Sequence, residues 1–229
     1  MSFKLLAVRY KLFKQQAVRE ALASRTGVHR MLDIGCGDGE KTIRLSHLPL
    51  QQAGIDIVHS RLAQARRNGL DVARATAEHL PFREHTFGFV QIAHVLHHVS
   101  DYKRVLTEIQ RCLAPSGRVL VVETVSDHPL IRLGRKLHPV WHGDQVRHGW
   151  QYAALVEMLT AAGFEIEQTA RYNILFWLWE IIPDSFCPLE ILTPIFVDLD
   201  LLLAPHLRSY AAHCYFVLKQ SPEPSGVGM

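Results

Sequence analysis

An α/β fold, with helices on both faces of a doubly wound, mostly parallel sheet, is predicted by three observations in this chain of 229 residues. From Arg30 onward, short apolar runs alternate with segments of helical periodicity, the pattern of successive βαβ units. The run Met31-Leu32-Asp33-Ile34-Gly35-Cys36-Gly37-Asp38-Gly39-Glu40 sets three glycines where a strand must turn sharply into a helix. Asp56 comes seventeen residues after the last of them, at the expected tip of the next strand.

Each element has its own pattern. Residues 3–24 space Leu5, Leu6, Leu12, Phe13, Ala17, Ala21 and Leu22 as one helical stripe, with Arg9, Lys11, Lys14 and Arg19 largely elsewhere. Such a basic amphipathic helix either packs near the mouth of a site or touches a membrane surface or an acidic partner. Strands are expected near 30–34, 52–56, 71–75, 87–93 and 117–123. Helices between them are marked by Ile43 and Leu45, by Leu62 and Ala65, and by Val105, Leu106, Ile109, Cys112 and Leu113, the last closed by Ser116-Gly117. A helix over 152–162 ends at Gly163, with strands after it over 164–172 and 213–219. One domain is expected over 1–220, with a Pro-, Ser- and Gly-rich tail over 221–229 that is expected to be flexible.

Composition bounds the function. Hydrophobic residues at 48% and charged residues at 21% describe an ordinary globular chain. The cysteines, at 36, 112, 187 and 214, form no C-x-x-C pair and come after no secretory signal, which fits a reduced, cytoplasmic compartment. Net charge is +3, unevenly spread: residues 1–30 hold seven Lys or Arg against Glu20, and 173–212 hold five acids against Arg208. Two segments exceed a minimal core. Residues 124–150 carry His128, His138, His142 and His148 with Trp141 and Trp150, and 173–212 are rich in Leu, Ile, Phe and Trp. Prolines 183, 188, 194 and 205 and the acids break the second into pieces too short for a bilayer. Both read either as helical lid inserts that build an acceptor pocket, or as core and dimer surface.

The glycine loop reads as a nucleoside-cofactor cradle. Its pattern is Asp-x-Gly-x-Gly-x-Gly, not the G-x-G-x-x-G that faces a pyrophosphate across a helix N-terminus. A carboxylate two residues before the first glycine repels a pyrophosphate, but it suits a cofactor bearing an ammonium and a sulfonium. That chemistry points to S-adenosylmethionine over NAD, with Asp56 accepting both ribose hydroxyls.

Together with the third motif and the histidine-rich segment after the fourth strand, this loop resembles the class I S-adenosylmethionine-dependent methyltransferases, in particular the small-molecule, methyltransferase type 11-like group with its Leu-Asp-x-Gly-Cys-Gly-x-Gly motif. The resemblance implies a Rossmann-like seven-stranded sheet in the order 3-2-1-4-5-7-6 with the last strand antiparallel. It implies that Asp33 lies by the cofactor's amino group, that Gly35, Cys36, Gly37 and Gly39 pass along the cofactor, and that Asp56 and Ile57 border the ribose. The third motif reads Ala75-Thr76-Ala77-Glu78-His79-Leu80-Pro81-Phe82; Thr76 replaces the aspartate that takes the adenine amino group, a task Ala77 and Glu78 can share. Gly88 also departs from the family aspartate. After the fourth strand, Ala93-His94-Val95-Leu96-His97-His98-Val99-Ser100-Asp101 is close to the family's Leu-His-His-x-x-Asp, which sets Ala93 and His94 at the methionine end.

The expected reaction is in-line methyl transfer to a small, hydrophobic acceptor, such as a lipid-linked molecule, in which the protein aligns donor and acceptor and excludes water. His94, then His98, are the candidate general bases, weighed against packed or capping histidines. His94, His97 and His98 at i, i+3 and i+4 would share adjacent faces of a helix, yet no carboxylate cluster accompanies them, and no metal is expected. His142, His148 and Arg147 are read as a solvated loop, with contact to the acceptor the alternative. There is no Asn/Asp-Pro-Pro-Tyr element after the fourth strand and no basic, aromatic groove is evident, so no nucleic-acid partner is expected. Thr76 and Gly88 motivate an alternative, a cofactor-binding sensor or partner subunit without turnover.

Overall fold

The computed structural model describes residues 19–23, 29–129, 131–133, 149–174, 193–203 and 206–221. The strands are β1 (Arg30–Ile34), β2 (Gln51–Asp56), β3 (Asp71–Arg74), β4 (Phe87–Ala93), β5 (Leu113–Thr124), β6 (Phe164–Tyr172) and β7 (His213–Gln220). They form one sheet in the order β3-β2-β1-β4-β5-β7-β6. β7 runs antiparallel to both neighbours, and β1 to β5 pair in parallel. The expected order and the antiparallel last strand are both present.

Helices cover the two faces because the buried strands carry apolar side chains on both. Leu32, Ile34, Val90, Ile92, Val119 and Val121 pack on one side with α3 (Tyr102–Cys112) and α4 (Tyr152–Ala161), through Val105, Leu106, Ile109, Leu155 and Leu159. Met31, Phe89, Leu120 and Val122 face the other side and meet Leu22, Ala23 and Leu45. The alternation along β1, β4 and β5 thus assigns successive residues to opposite layers. α3 starts on Asp101, whose Oδ1 accepts the Arg104 N–H at 3.0 Å, a cap worth about 1 kcal/mol. The last residue of the histidine-rich motif is therefore a helix cap.

Two elements differ from their expected bounds by more than one residue. The helix after the glycine loop, α1, covers only Glu40–Ile43. Beyond it the chain takes tighter turns, with Leu45 N–H to Thr42 O and Ser46 N–H to Ile43 O, before Pro49 leads into β2. β5 begins at Leu113, four residues earlier than expected, because Pro115 forces the preceding residue out of the helical region and Leu113 already pairs with Phe87. α2 (His59–Arg67) comes after β2, and α5 (Thr193–Leu203) lies within the second insert.

The N-terminal helix is described only at 19–23, which is helical. His138, Trp141, His142, Arg147, His148, Cys187, most of both predicted lids and the tail beyond Ser221 lie outside the described residues. Among the described residues no helix is long and apolar enough to cross a membrane.

Candidate active site

The carboxyl ends of β1, β2 and β4 meet at the edge where open α/β sheets bind ligands. Between β1 and α1 the backbone makes the glycine turn, with φ of 73°, 60° and 77° at Gly35, Gly37 and Gly39. This left-handed region is costly for any residue with a Cβ. Gly35 has a second constraint: a Cβ there would lie 2.3 Å from Cγ2 of Val95. A Cβ on Gly37 would meet nothing within 4 Å, so the turn is open at that point.

Asp56, at the tip of β2, faces this turn. Its Oδ2 accepts the Gly37 N–H at 2.9 Å and its Oδ1 accepts the Val58 N–H at 2.8 Å. Each oxygen keeps a further acceptor position, so the carboxylate can still receive two hydroxyls. An open glycine turn beside a carboxylate with two spare acceptor positions fits the ribose of a nucleoside cofactor.

Asp33 is placed differently. It is buried and accepts the Thr42 hydroxyl, and it faces the charge of Arg19. Arg19 is itself buried and donates through Nε to Gln91 Oε1. Burial pushes the Asp33 carboxyl up, against the Thr42 hydrogen bond and the Arg19 charge, and burial pushes Arg19 and Lys41 down. The acid is therefore the centre of an internal polar network beneath the turn. Cys36 is no nucleophile: burial, with Asp33 and Asp56 nearby, pushes its thiol up to about 12.

Alongside runs a cleft of about 390 Å³. Of the residues singled out from sequence, Gly35, Asp56, Ile57, Thr76, Ala77, Glu78, His94 and His98 line it; Asp33, Cys36, Gly37, Gly39 and Ala93 do not. Val58, Arg61, Val95, Val99 and Ser100 also line it and were not singled out. Val58 is the N-cap of α2 and Arg61 lies in its first turn, directly after Asp56, where residues next to a strand tip are a readable signal. Glu78 Oε1 accepts the Ser100 N–H and hydroxyl, both at 3.3 Å, and so joins the β3 loop to the turn after β4. A larger hollow of about 560 Å³ lies between α3 and α4, lined by Tyr102, Leu106, Trp150 and Met158 among others, and contains no strand-tip residue.

The histidine segment is a turn, not a helix. His94 has φ 59°, and its N–H bonds to Val122 O at 2.8 Å. His94 and His98 reach the cleft, whereas His97 turns inward to Glu123. Beyond His94 stands His213 at the start of β7, ring centroids 5.6 Å apart, and its Nδ1 lies 3.0 Å from Nδ2 of Asn173. Among the described residues no group of three or more His, Cys, Asp or Glu side chains is arranged to hold a metal ion.

Such a sheet, with a glycine turn and a ribose-facing acid at its carboxyl edge, defines an enzyme class that uses a nucleoside cofactor. Residues 32–121 match the family model of the methyltransferase domain. The chain is 31% identical over 196 residues to demethylmenaquinone methyltransferase of Lactiplantibacillus plantarum, which covers 70% of this chain and 79% of that protein. It is 32% identical over 135 residues to a ubiquinone/menaquinone biosynthesis C-methyltransferase of Shewanella frigidimarina, and there it spans about half of either protein, 54% and 53%. In structure it is similar to an S-adenosylmethionine-dependent methyltransferase of Thermotoga maritima, with a TM-score of 0.65, 17% identity, and coverage of 94% of this chain and 91% of that one. The chain belongs to the class I S-adenosylmethionine-dependent methyltransferases. S-adenosylmethionine is its methyl donor, and the acceptor is a small molecule.

Proposed function

We propose that the acceptor is a hydrophobic quinone in its reduced form, and that the methyl group goes to a ring carbon. The observation that carries this reading is the placement of His94, whose imidazole lines the cleft from a backbone fixed at the end of β4 and stands between that cleft and His213. A demethylmenaquinone methyltransferase is a relative at 31% identity, which supports the same acceptor class.

The donor supplies an electrophilic methyl on a sulfonium whose sulfur leaves as a neutral thioether. The chain's own residues do the rest. Asp56 takes the ribose hydroxyls, with Ile57 beside it; Thr76, Ala77 and Glu78 flank the base; and Gly35 to Gly39, with Cys36, shape the turn that the donor passes. Asp33 acts from beneath the turn, through Thr42, and Ala93 closes the strand end from which His94 projects. An oxidised quinone is electron-poor and no nucleophile, whereas the quinol, on losing a hydroxyl proton, pushes charge onto the ring carbon. His94 receives that proton, and His98 is the second imidazole within reach of the cleft. When the new carbon–carbon bond has formed, the ring carbon's own proton passes to solvent, aromaticity returns, and His94 gives its proton back to the phenolate oxygen, so that one proton is released for each methyl group transferred.

The test is transfer from labelled S-adenosylmethionine to a short-chain demethylmenaquinol kept reduced by dithionite, with histamine and phosphoethanolamine as competitors, and with the oxidised quinone offered in a separate reaction without reductant, where no transfer is expected. Label on the quinol ring carbon alone is expected. Label on an amine, or none on the quinol, would overturn the acceptor assignment.

A further inference from the structure

We infer that Glu123 is a positioning residue for methyl transfer: it sets the conformation of the turn 94–98 that carries the proposed base, and it locks that turn onto the glycine loop. The inference rests on the reading of His94 as that base.

Glu123 lies near the end of β5 and is fully buried. Its Oε1 accepts the N–H groups of Val95 at 3.1 Å and Leu96 at 2.8 Å. Its Oε2 takes the Nδ1 of His97 at 2.6 Å, with the Thr124 N–H at 3.4 Å on the same oxygen. A carboxylate removed from water is costly unless its lone pairs are met, and here three consecutive residues of one turn meet them. An ionised carboxylate only accepts, so His97 carries its proton on Nδ1.

The consequences reach the cleft by two routes. His94 holds a left-handed backbone, disfavoured for a residue with a side chain, and such a conformation persists only where its surroundings over-determine it. Its own N–H is held by Val122 O, and the next two N–H groups are held by Glu123. The ring of His97, fixed by Oε2, lies 4.0 Å from the ring of His98 and 6.4 Å from that of His94, centroid to centroid. Meanwhile Val95, held by its N–H, fills the space that the missing Cβ of Gly35 leaves. One carboxylate thus fixes both cleft histidines against the donor-side turn, without itself lining the cleft.

The test is Glu123→Gln. An amide offers one oxygen and one NH2; with the oxygen toward the two backbone N–H groups, the NH2 meets His97 and drives its proton from Nδ1 to Nε2. Nitrogen-15 spectra of the His97 ring are therefore expected to show the opposite tautomer. Turnover of the quinol should fall at least about tenfold, with acceptor KM and S-adenosylhomocysteine affinity within about threefold, because the lost term belongs to the transition state. Unchanged turnover in a folded E123Q protein, or an unchanged tautomer, would overturn the inference. Should E123Q fold poorly, Glu123→Asp keeps the charge, is one methylene shorter, and must show the same split. If the wild type binds S-adenosylhomocysteine but methylates no quinol, the acceptor reading fails alone. The positioning role is then decided by whether the His94 and His98 ring resonances of the bound protein shift in E123Q, as expected, or stay put, which refutes it.

Discussion

Glu108→Gln tests how the loop that flanks the cleft is held. Glu108, on α3, is buried; its Oε2 accepts the Leu80 N–H at 2.9 Å and Arg111 Nη2 at 2.8 Å, and its Oε1 accepts Arg111 Nε at 2.9 Å. Arg111 in turn donates to Phe82 O at 2.8 Å and Leu80 O at 3.0 Å. The pair therefore clamps Leu80-Pro81-Phe82, the end of the loop whose start, Thr76 to Glu78, lines the cleft. The Arg111 hydrogen bonds, assisted by the Leu80 N–H and opposed by burial, pull the Glu108 carboxyl down to about 2 from 4.5. A carboxyl depressed on folding stabilises the protein above its unfolded value, and that stability is lost as pH falls from about 4.5 toward about 2. At about 1.4 kcal/mol per pH unit, the interval corresponds to about 3 kcal/mol. Urea unfolding of wild type and E108Q between about pH 3 and 8 should show a stability gap of about 2–3 kcal/mol at neutral pH that narrows below about pH 4. A gap that is absent at pH 7, or that stays constant into acid, refutes the argument that the ionised pair holds this loop.

Asp56→Ala should weaken S-adenosylhomocysteine binding by about 1–3 kcal/mol in titration calorimetry, the scale of lost charge-assisted hydrogen bonds; unchanged affinity would remove Asp56 from the site. Gly35→Ala meets both a positive φ and Val95 at 2.3 Å, whereas Gly37→Ala meets the φ alone. The first should cost about 2–4 kcal/mol and the second about 1–2 kcal/mol, read from unfolding curves; equal costs would mean that Val95 moves aside freely. His94→Gln should retain donor-product affinity while turnover falls about 100-fold, the usual range for a lost general base, and a small change in turnover would point to another proton acceptor. Arg19→Leu removes the buried hydrogen bond to Gln91 Oε1 and the positive charge that acts on Asp33, and should destabilise by about 1–3 kcal/mol, checked by chemical denaturation; unchanged or higher stability would refute the view that Arg19 holds this network together.

The parts of this molecule that sequence made legible are those governed by local rules. Short apolar runs bounded by glycine and proline marked the strands, and the glycine spacing with Asp56 beyond it marked the turn and its facing acid, because backbone conformation there depends on residues next to one another. What stayed hidden depended on distant partners. Asp33 is expected beside the cofactor's amino group from its place before the glycines, but nothing in the sequence marks its hydrogen bond from Thr42, the Arg19 charge that acts on it, or the tie from Arg19 to Gln91, 72 residues away. The histidines at 94, 97 and 98 have helical spacing, but Glu123 draws in the N–H groups of Val95 and Leu96 from 28 and 27 residues away and makes a turn instead. Glu123 itself reads as an ordinary strand residue, and no local pattern separates it from an exposed acid.

Where the antiparallel strand enters the sheet, the ends of both inserts come together. Val125 N–H bonds to Ala212 O at 2.9 Å, Ala212 N–H to Asn173 O at 3.2 Å, and Ser126 N–H to Trp150 O at 3.0 Å. Each excursion therefore leaves and rejoins the scaffold through a stem already closed by main-chain bonds, which depend little on side-chain identity. The arrangement works as a clasp: main-chain bonds gather residues 125, 126, 150, 173 and 212 at one edge of the sheet, so the register of the antiparallel strand is held there independently of the side chains that flank it.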